Sequence, residues 1–356
     1  MLKLIAIVLT LATSVITSAQ ITSPRVPSPA ASVSQTIGIS TVNVKYSRPS
    51  VKGREIWGAL VPYGWNVQAF GLGNSAPWRA GANENTVITF SHSATVEGKP
   101  VPAGSYGLFF VINKDNTGEV ILSKDYRSWG SFFYDEKNDF MRAKIQVRDI
   151  PNTELLTYDF TNMTKTSAEM VLMWEKKGFP VKIEFDVDNI VMANANEELK
   201  STTGFNWIGF TSAANYAVNN KVNLDQALTW ADRAVAMNSN FNTLSVRANV
   251  LKAQGKQDEA NKAFDDAVAV SSENELNLYG YQLMNNKEQD KAIKMFVLNT
   301  QRHPKSANVW DSLGEAYALS GDKKNAVTNF KKCLSMNPPA AVKANSEKYL
   351  KQLGAM

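Results

Sequence analysis

The C-terminal half of this 356-residue chain is built from copies of one short pattern. Counted from Ala307, small, aromatic and proline residues recur at fixed offsets, and related sets begin near Glu273, Phe241 and Ile208, about 34 residues apart. Such a period is typical of units that bury a hydrophobic face only by stacking on their neighbours. The copy that begins at Ala307 is defined by Trp310, Leu313, Gly314, Tyr317, Gly321, Ala326, Phe330 and Pro338.

Residue size follows position within each copy. Small residues at offsets 8, 20 and 27 allow two helices to approach closely, and an aromatic residue at offset 24 fills the space between units. Pro304 and Pro338 end the second helix of a unit. Cys333 lies at offset 27 and is predicted to be a small buried residue rather than a reactive thiol. The region is similar to a tetratricopeptide array of four units, followed by an amphipathic capping helix over residues 340–353.

The resemblance to tetratricopeptide proteins implies where a partner would bind. In that family, offsets 5 and 9 of each first helix face a concave groove, and members that hold a peptide carboxylate place Lys, Asn or Arg there. Here Asp311 and Glu315 occupy those offsets in the last unit, so like charges oppose carboxylate capture. We expect a protein partner of polar or basic character, and the alternative is a scaffold face without a ligand. The groove positions are Ser245, Asn249, Asn277, Tyr281, Asp311 and Glu315, with Lys252 at offset 12.

The N-terminal half has a different period. Between residues 20 and 187 apolar residues alternate or form short β-branched runs, which indicates strands. Turn sequences at residues 97–100, 113–118 and 176–178 separate these runs. Seven to nine short strands without helical periods between them predict an antiparallel β-sandwich-like or barrel-like fold. The expected strands cover residues 42–46, 86–90, 106–112, 120–123, 143–147, 169–174 and 181–187.

Three blocks in this half contain more than strand formation requires. They cover residues 46–58, 77–86 and 102–109, and the first reads Tyr-Ser-Arg-Pro-Ser-Val-Lys-Gly-Arg-Glu-Ile-Trp-Gly. The blocks resemble a family of exported bacterial proteins known as domain-of-unknown-function family 2911, over about residues 28–190. The resemblance implies a β-rich domain, often followed by helical repeats, with no assigned activity. Residues 64–76 look like an insertion relative to the family pattern.

Arginine and tryptophan are concentrated in these blocks. Arg48, Arg54 and Arg79 lie in loop-like contexts beside Trp57 and Trp78. Guanidinium groups flanked by aromatic rings suit the recognition of carboxylate, phosphate or sugar. The alternative is that these arginines tie loops to carboxylates or to main-chain carbonyl groups. The candidate ligand-binding residues are Arg48, Arg54, Trp78, Arg79, Asn83 and Glu84.

Few side chains are available for catalysis or metal binding. One Cys excludes an intramolecular disulfide and a Cys-based metal site, and the two histidines, His92 and His303, are too far apart in sequence to suggest a His cluster. His92 lacks a nearby nucleophile motif and is expected at the end of a strand. A hydrolase would need a carboxylate pair whose members the sequence does not identify. We therefore expect no cofactor and no metal, and binding rather than catalysis.

The first 19 residues predict that the protein is exported. Lys3, an apolar stretch and the small residues Thr17-Ser18-Ala19 follow the plan of a secretory signal peptide, with Gln20 as the new N-terminus. No further segment is apolar enough for a membrane span. The net charge of +5 belongs to residues 200–356, where Lys and Asp or Glu are interspersed, so nucleic acid is not expected as a partner.

Together these patterns predict an exported, periplasmic or secreted, multidomain α+β protein. An antiparallel β-sandwich-like domain is expected over residues 20–190 and an all-α tetratricopeptide solenoid over residues 200–356. The leading functional interpretation is a non-enzymatic protein whose repeats bind a protein partner. The alternative is a small-molecule or glycan-binding protein, or a hydrolase, with its site around the Arg and Trp motifs.

Overall fold

The computed structural model describes residues 27–356, and the predicted signal peptide lies outside the described residues. The chain divides into two compact units, and the division falls between Ile190 and Val191. The N-terminal unit consists of antiparallel strands and the C-terminal unit of helices. This confirms the predicted fold class.

The strands of the N-terminal unit form two main sheets and a hairpin. They are β1 (Ala30–Ile37), β2 (Ser40–Ser47), β3 (Asn66–Val67), β4 (Ser75–Ala76), β5 (Val87–Phe90), β6 (Ala94–Val96), β7 (Lys99–Val101), β8 (Gly104–Ile112), β9 (Thr117–Ser123), β10 (Asp139–Gln146), β11 (Arg148–Thr161) and β12 (Ser167–Glu184). The larger sheet has the order β1-β2-β5-β8-β9-β10 and the smaller one β11-β12-β6-β7, while β3 pairs with β4 within the predicted insertion. Short 3-10 helices cover Gly130–Phe133 and Glu136–Asn138.

Aromatic side chains join the two sheets. Phe110 of β8 contacts Phe179 of β12 with ring centroids 5.2 Å apart, and Tyr46 of β2 packs edge-on against Tyr158 of β11 at 4.7 Å. Phe110 and Phe179 are fully buried. Since each pair takes one ring from each sheet, the hydrophobic core of this unit lies between the sheets, as in a β-sandwich.

Two details of the strand prediction are wrong. Residues 176–178 are not a turn, because they continue β12, and the two strands expected there are one. Glu175 has a left-handed φ of 51° and lies opposite Thr153, where the register with β11 shifts, so a bulge replaces the expected turn. Strands β1 and β11 were not predicted, because both are edge strands with few buried side chains and β11 contains Pro151. The strands of two or three residues, β3, β4, β6 and β7, were not predicted either.

The helices are α1 (Val187–Glu198), α2 (Trp207–Asn220), α3 (Leu224–Met237), α4 (Phe241–Ala253), α5 (Gln257–Val270), α6 (Glu273–Asn285), α7 (Gln289–Arg302), α8 (Ala307–Leu319), α9 (Lys323–Leu334) and α10 (Ala340–Gln352). A 3-10 helix covers Thr202–Phe205. From α2 to α9 consecutive helices pair as four antiparallel units, and their first helices begin at, or one residue from, the predicted unit starts. Helix α10 follows the last unit, as the 340–353 pattern predicts.

Packing within a unit follows the residue sizes of the repeat. A Cβ atom at Gly314 would lie 2.8 Å from the ring of Phe330, and one at Gly280 would lie 2.6 Å from the ring of Phe296. Both rings are fully buried, so each phenylalanine lies against a helix backbone that no side chain covers. Cys333 is buried as predicted, and burial raises the pKa of its thiol.

No helix within residues 27–356 is long and apolar enough to cross a membrane.

Candidate functional site

A cavity of about 560 Å³ opens in the N-terminal unit where four loops and the strand β12 converge. The four are the segment before β1, the connection from β2 to β3, the connection from β4 to β5, and the connection from β9 to β10 that includes the 3-10 helix at 130–133. We call it the arginine cavity. Its polar and aromatic lining consists of Ser28, Ser50, Lys52, Arg54, Trp78, Arg79, Asn83, Trp129, Phe132 and Trp174.

Arg79 is the half-buried cation of the arginine cavity. Its Nη1 donates a hydrogen bond of 2.9 Å to the carbonyl oxygen of Asn83, and its guanidinium carbon lies 5.1 Å from the centroid of the Phe132 ring. Among residues 27–356 no carboxylate forms an ion pair with Arg79. Burial lowers the pKa of its guanidinium group. The charge is thus partly desolvated and is not compensated by an opposite charge.

The backbone on two sides of the cavity is bent into left-handed conformations. Lys52, Ala80 and Asn83 have φ values of 48°, 55° and 61°, and none is glycine. Ala80 is fully buried, and its carbonyl oxygen accepts hydrogen bonds from Tyr158 (2.9 Å) and Thr86 (3.1 Å). These bonds hold the loop that carries Arg79. Strained backbone that the surrounding structure holds in place is concentrated at functional sites.

Arg54 and Lys52 contribute further positive charge from the turn after β2. The Nε of Arg54 donates to the carbonyl oxygen of Val51 at 3.0 Å, and its Nη2 donates to that of Ser50. Arg54 therefore closes its own turn. The backbone N–H of Lys52 donates to Glu154 at 2.9 Å, while its side chain is exposed.

Tryptophans form the floor of the cavity. Trp78 stacks on Trp174 with centroids 5.9 Å apart and an interplanar angle of 15°, and Trp57 packs edge-on against both. The indole nitrogens of Trp174 and Trp57 are buried and have no hydrogen-bond partner among the described residues. Trp129 is 46% exposed at the cavity. The floor thus consists of aromatic side chains, and Trp129 presents the most exposed of these rings.

Two of the six candidate ligand-binding residues lie elsewhere. Arg48 donates to the carbonyl oxygen of Leu156 (2.9 Å) and to the hydroxyl of Thr157 (2.6 Å), so it ties the end of β2 to β11. Glu84 lines a separate shallow cavity beside β1 and β2. The structure brings together Arg54, Trp78, Arg79 and Asn83. Lys52, Trp129, Phe132 and Trp174 were missed as candidates. Lys52 could have been found from its place within the first motif block.

The charges of the arginine cavity have one sign. Lys52, Arg54 and Arg79 line it, and among the described lining residues none is Asp, Glu or His. His92 lies beyond the end of β5, where its Nδ1 is 3.0 Å from the hydroxyl of Ser91. In the described part of the chain no group of three His, Cys, Asp or Glu side chains could hold a metal ion. The lining therefore offers hydrogen-bond donors and aromatic faces.

The repeats contain a second candidate surface. It is formed by offsets 5 and 9 of the first helices, and we call it the repeat groove. Because the period is 34 residues in the last units, equivalent side chains meet: Glu315 accepts hydrogen bonds of 3.0 Å from both Tyr281 and Tyr349. Asp311 accepts from Asn345 (2.9 Å) and from Ser346. Both carboxylates thus have partners within the chain.

This network changes the interpretation of the acidic pair. Asn345, Ser346 and Tyr349 belong to α10, so Asp311 and Glu315 anchor the capping helix rather than an external cation. Asp311 is buried, and burial raises the pKa of its carboxyl group. The expectation of a basic partner rested on these two charges, and it loses that support.

Further along the repeat groove the side chains have no such partners. Among the described residues Ser245, Asn249 and Asn277 have no side-chain hydrogen bond within the chain, and the oxygens of Ser245 and Asn277 are buried. Asn249 and Lys252 are exposed. The groove therefore has a bonded end, from Tyr281 of α6 to α8 and α10, and a part without bonds to the described residues, at α4 and Asn277 of α6.

The fold defines a two-unit protein in which a β-sandwich precedes an array of helical repeats. Residues 28–183 match the sequence model of a family described as protein of unknown function (DUF2911), and residues 307–339 match the tetratricopeptide repeat. The chain carries these two modules in the predicted order. No curated protein sequence matches it.

Solved structures with low similarity also match. They include YrrB, described as a TPR protein with an unusual peptide-binding site (18% identity, 45% of this chain and 84% of that one, TM-score 0.27), and MamA (18%, 42% and 89%, 0.27). A third is pilF of Pseudomonas aeruginosa (18%, 43% and 71%, 0.27). Their identities and TM-scores are too low to transfer a function to this chain.

Proposed function

We propose that this protein is an exported, non-catalytic binding protein whose repeat groove holds an extended polypeptide segment of a protein partner. Tetratricopeptide repeats support a role in protein interaction. The observation that carries the finer proposal is that the side chains of Ser245, Asn249 and Asn277 form no hydrogen bond with any described residue, and that the oxygens of Ser245 and Asn277 are buried. Each occupies one of the two offsets at which Asp311 and Glu315 of the last unit bond to α10.

The chemistry of these side chains suits a peptide backbone. An asparagine amide presents a donor and an acceptor side by side, which match the C=O and N–H groups of an extended chain. A buried polar atom without a partner is costly, so a ligand that satisfies Asn277 gains the free energy of that unmade bond. The partner is recognised mainly through its main chain, and the exposed Lys252 favours an acidic residue nearby.

The experiment uses the mature protein with Asn249→Ala and Asn277→Ala combined, immobilised to capture proteins from an envelope fraction. Asn261→Ala, an exposed asparagine of α5, is the matched control. We expect at least one captured protein to fall about tenfold in yield with the groove variant and to be unchanged with Asn261→Ala. Equal capture by all variants would reject the proposed groove, whatever proteins are captured.

Export is a separate part of the proposal, and it is supported by the signal-peptide pattern of residues 1–19. Mass spectrometry of the protein isolated from an envelope or extracellular fraction should give Gln20 as the N-terminal residue. An Ala19→Arg variant should retain the leader, because a large charged residue does not fit a site that accepts small residues. Protein that begins at Met1 and is found only in the cytoplasm would contradict export.

A further inference from the structure

The arginine cavity holds an uncompensated charge. Arg79 is half-buried, and one of its N–H groups donates a hydrogen bond to the carbonyl oxygen of Asn83. No carboxylate within residues 27–356 forms an ion pair with it. A buried cation without an opposite charge destabilises a fold, and proteins avoid such groups unless they serve a purpose. The Nε and Nη2 donors of Arg79 have no partner among the described residues. They are available to an oxyanion in the fork geometry that guanidinium provides.

The position of Arg79 is fixed by its surroundings. Its guanidinium stacks on Phe132, and Gly130, with a φ of 60°, leaves the space through which the side chain passes. A Cβ atom at Gly130 would lie 2.6 Å from Nη1 of Arg79. The loop that carries Arg79 is held by the hydrogen bonds of Ala80 and by the Asn83 side chain, which donates to the carbonyl of Ser28 at 3.3 Å. The cation is therefore preorganised rather than mobile.

The remaining lining selects the type of ligand. Lys52 and Arg54 add two positive charges at the same cavity. Every one of these groups donates hydrogen bonds, so a ligand must supply acceptors and negative charge. Trp129 is partly exposed there, and Trp78 contributes a second indole. Aromatic faces bind flat or apolar ligand surfaces.

We infer that the arginine cavity is a binding site for a small anionic ligand, whose carboxylate or phosphate pairs with Arg79 and whose flat face stacks on tryptophan. The volume of about 560 Å³ is in the range of small-molecule sites. Acidic monosaccharides and aromatic carboxylates share this chemistry. The site is distinct from the repeat groove and does not depend on the function proposed for it.

The cavity supplies its own spectroscopic probe, since Trp78, Trp129 and Trp174 line it. Tryptophan fluorescence of the mature protein should be titrated with glucuronate, glucose 6-phosphate and benzoate, and with the uncharged analogues glucose and benzamide. We expect saturable quenching by at least one anion and none by its uncharged analogue at equal concentration. Quenching by glucuronate or glucose 6-phosphate but not by benzoate identifies a site for acidic sugars. Quenching by benzoate alone identifies a site for aromatic acids.

Two variants test the role of Arg79. Arg79→Gln should weaken binding of the responding anion by about tenfold or more, because a charged hydrogen-bonding pair is lost. Arg79→Lys keeps the charge but not the fork and should recover part of the affinity. Lys52→Gln changes an exposed side chain, so we expect the fold to stay intact. This variant should weaken anion binding severalfold.

Arg233→Gln is the matched control, because Arg233 is exposed on α3 in the other unit. Thermal unfolding of each variant separates loss of folding from loss of binding. If no anion quenches the wild-type protein, or if Arg79→Gln and Lys52→Gln both bind like Arg233→Gln, the inference is wrong.

Discussion

Arg48 and Arg79 show how two arginines in similar motifs acquire different roles. Arg48 donates to Leu156 and Thr157, more than 100 residues away in sequence. Among the described residues, Arg79 donates only to Asn83 of its own loop. The sequence identifies both as loop arginines beside tryptophan. It does not show that the unpredicted strand β11 lies beside Arg48. The role of each arginine was therefore open until the long-range contacts were known.

The contacts of Arg48 lead to a stability prediction. Arg48→Ala should lower the free energy of unfolding of the N-terminal unit by about 1–3 kcal/mol, because the carbonyl of Leu156 and the hydroxyl of Thr157 lose a charged donor. Urea unfolding followed by tryptophan fluorescence measures the loss. The exposed Arg233→Ala should change stability by less than about 0.5 kcal/mol. Equal effects of the two substitutions would show that the Arg48 bonds contribute nothing net.

Gly314 is a second position where one residue decides local packing. Gly314→Ala gains about 1 kcal/mol of helix propensity, but its methyl group must displace the buried ring of Phe330. Overpacking of a core costs about 1–3 kcal/mol, so we expect a net loss of about 1 kcal/mol in the C-terminal unit. Urea unfolding followed by helical circular dichroism measures it.

The double variant Gly314→Ala/Phe330→Leu provides the control. The smaller leucine should relieve part of the clash, so the alanine should cost less in that background than in the wild type. If the alanine is equally harmful in both backgrounds, the clash with Phe330 is not the cause.

Among whole helices, α10 depends on side chains that the repeat period aligns. Tyr281, Glu315 and Tyr349 lie 34 residues apart and meet in one hydrogen-bonded row. The pattern of the sequence predicted α10 and its amphipathic face. It did not predict that Asp311 and Glu315 would bond to α10, since the family resemblance had placed both in an open groove. The distinction depends on tertiary contacts that the offsets alone do not contain.

The burial of Asp311 gives the docking of α10 a pH dependence. Burial, together with the nearby charge of Glu315, raises the pKa of the Asp311 carboxyl above its value in the unfolded chain, despite its hydrogen bonds to Asn345 and Ser346. The folded state therefore holds this proton more tightly. The protonated Asp311 carboxyl therefore stabilises the folded state fully at a pH below the unfolded pKa of about 3.9. This stabilisation is lost as the pH rises through the higher pKa of the folded state.

The direction of this pH dependence can be measured with one substitution. The free energy of unfolding of the wild type relative to Asp311→Asn should decrease as the pH rises from about 4 towards neutrality. Asp266→Asn, at an exposed position of α5, corrects for the titration of surface carboxylates. A difference that increases with pH would mean that hydrogen bonding, not burial, dominates the Asp311 titration.

Strands were predicted less accurately than helices, for a physical reason. The helical period is repeated in four copies, so an ambiguous copy such as that from Ile208 is supported by the others. Each strand has to be recognised from a few residues alone. In β12 the polar residues at the Glu175 bulge resemble a turn in sequence, but the chain does not change direction there.

For the whole chain, the division at Ile190 separates two hydrophobic cores of different kinds. The β-sandwich core depends on contacts between residues far apart in sequence, whereas a repeat array is stabilised by contacts between neighbouring units. Five of the eight tryptophans belong to the N-terminal unit and most helical residues to the C-terminal unit. Fluorescence and helical circular dichroism thus report mainly on different units.

These separate cores predict how substitutions combine. Arg48→Ala and Gly314→Ala act on different cores. In the double variant, each probe should therefore report the same loss in free energy of unfolding as the single variant of its own unit, within about 0.5 kcal/mol. Arg48→Ala should shift the fluorescence transition in urea, and Gly314→Ala should shift the circular dichroism transition. The pair Asp311→Asn/Gly314→Ala provides the contrast, because both substitutions lie in α8 and share its packing. If Arg48→Ala shifts the circular dichroism transition as much as the fluorescence transition, the two units unfold as one cooperative structure and this prediction is wrong.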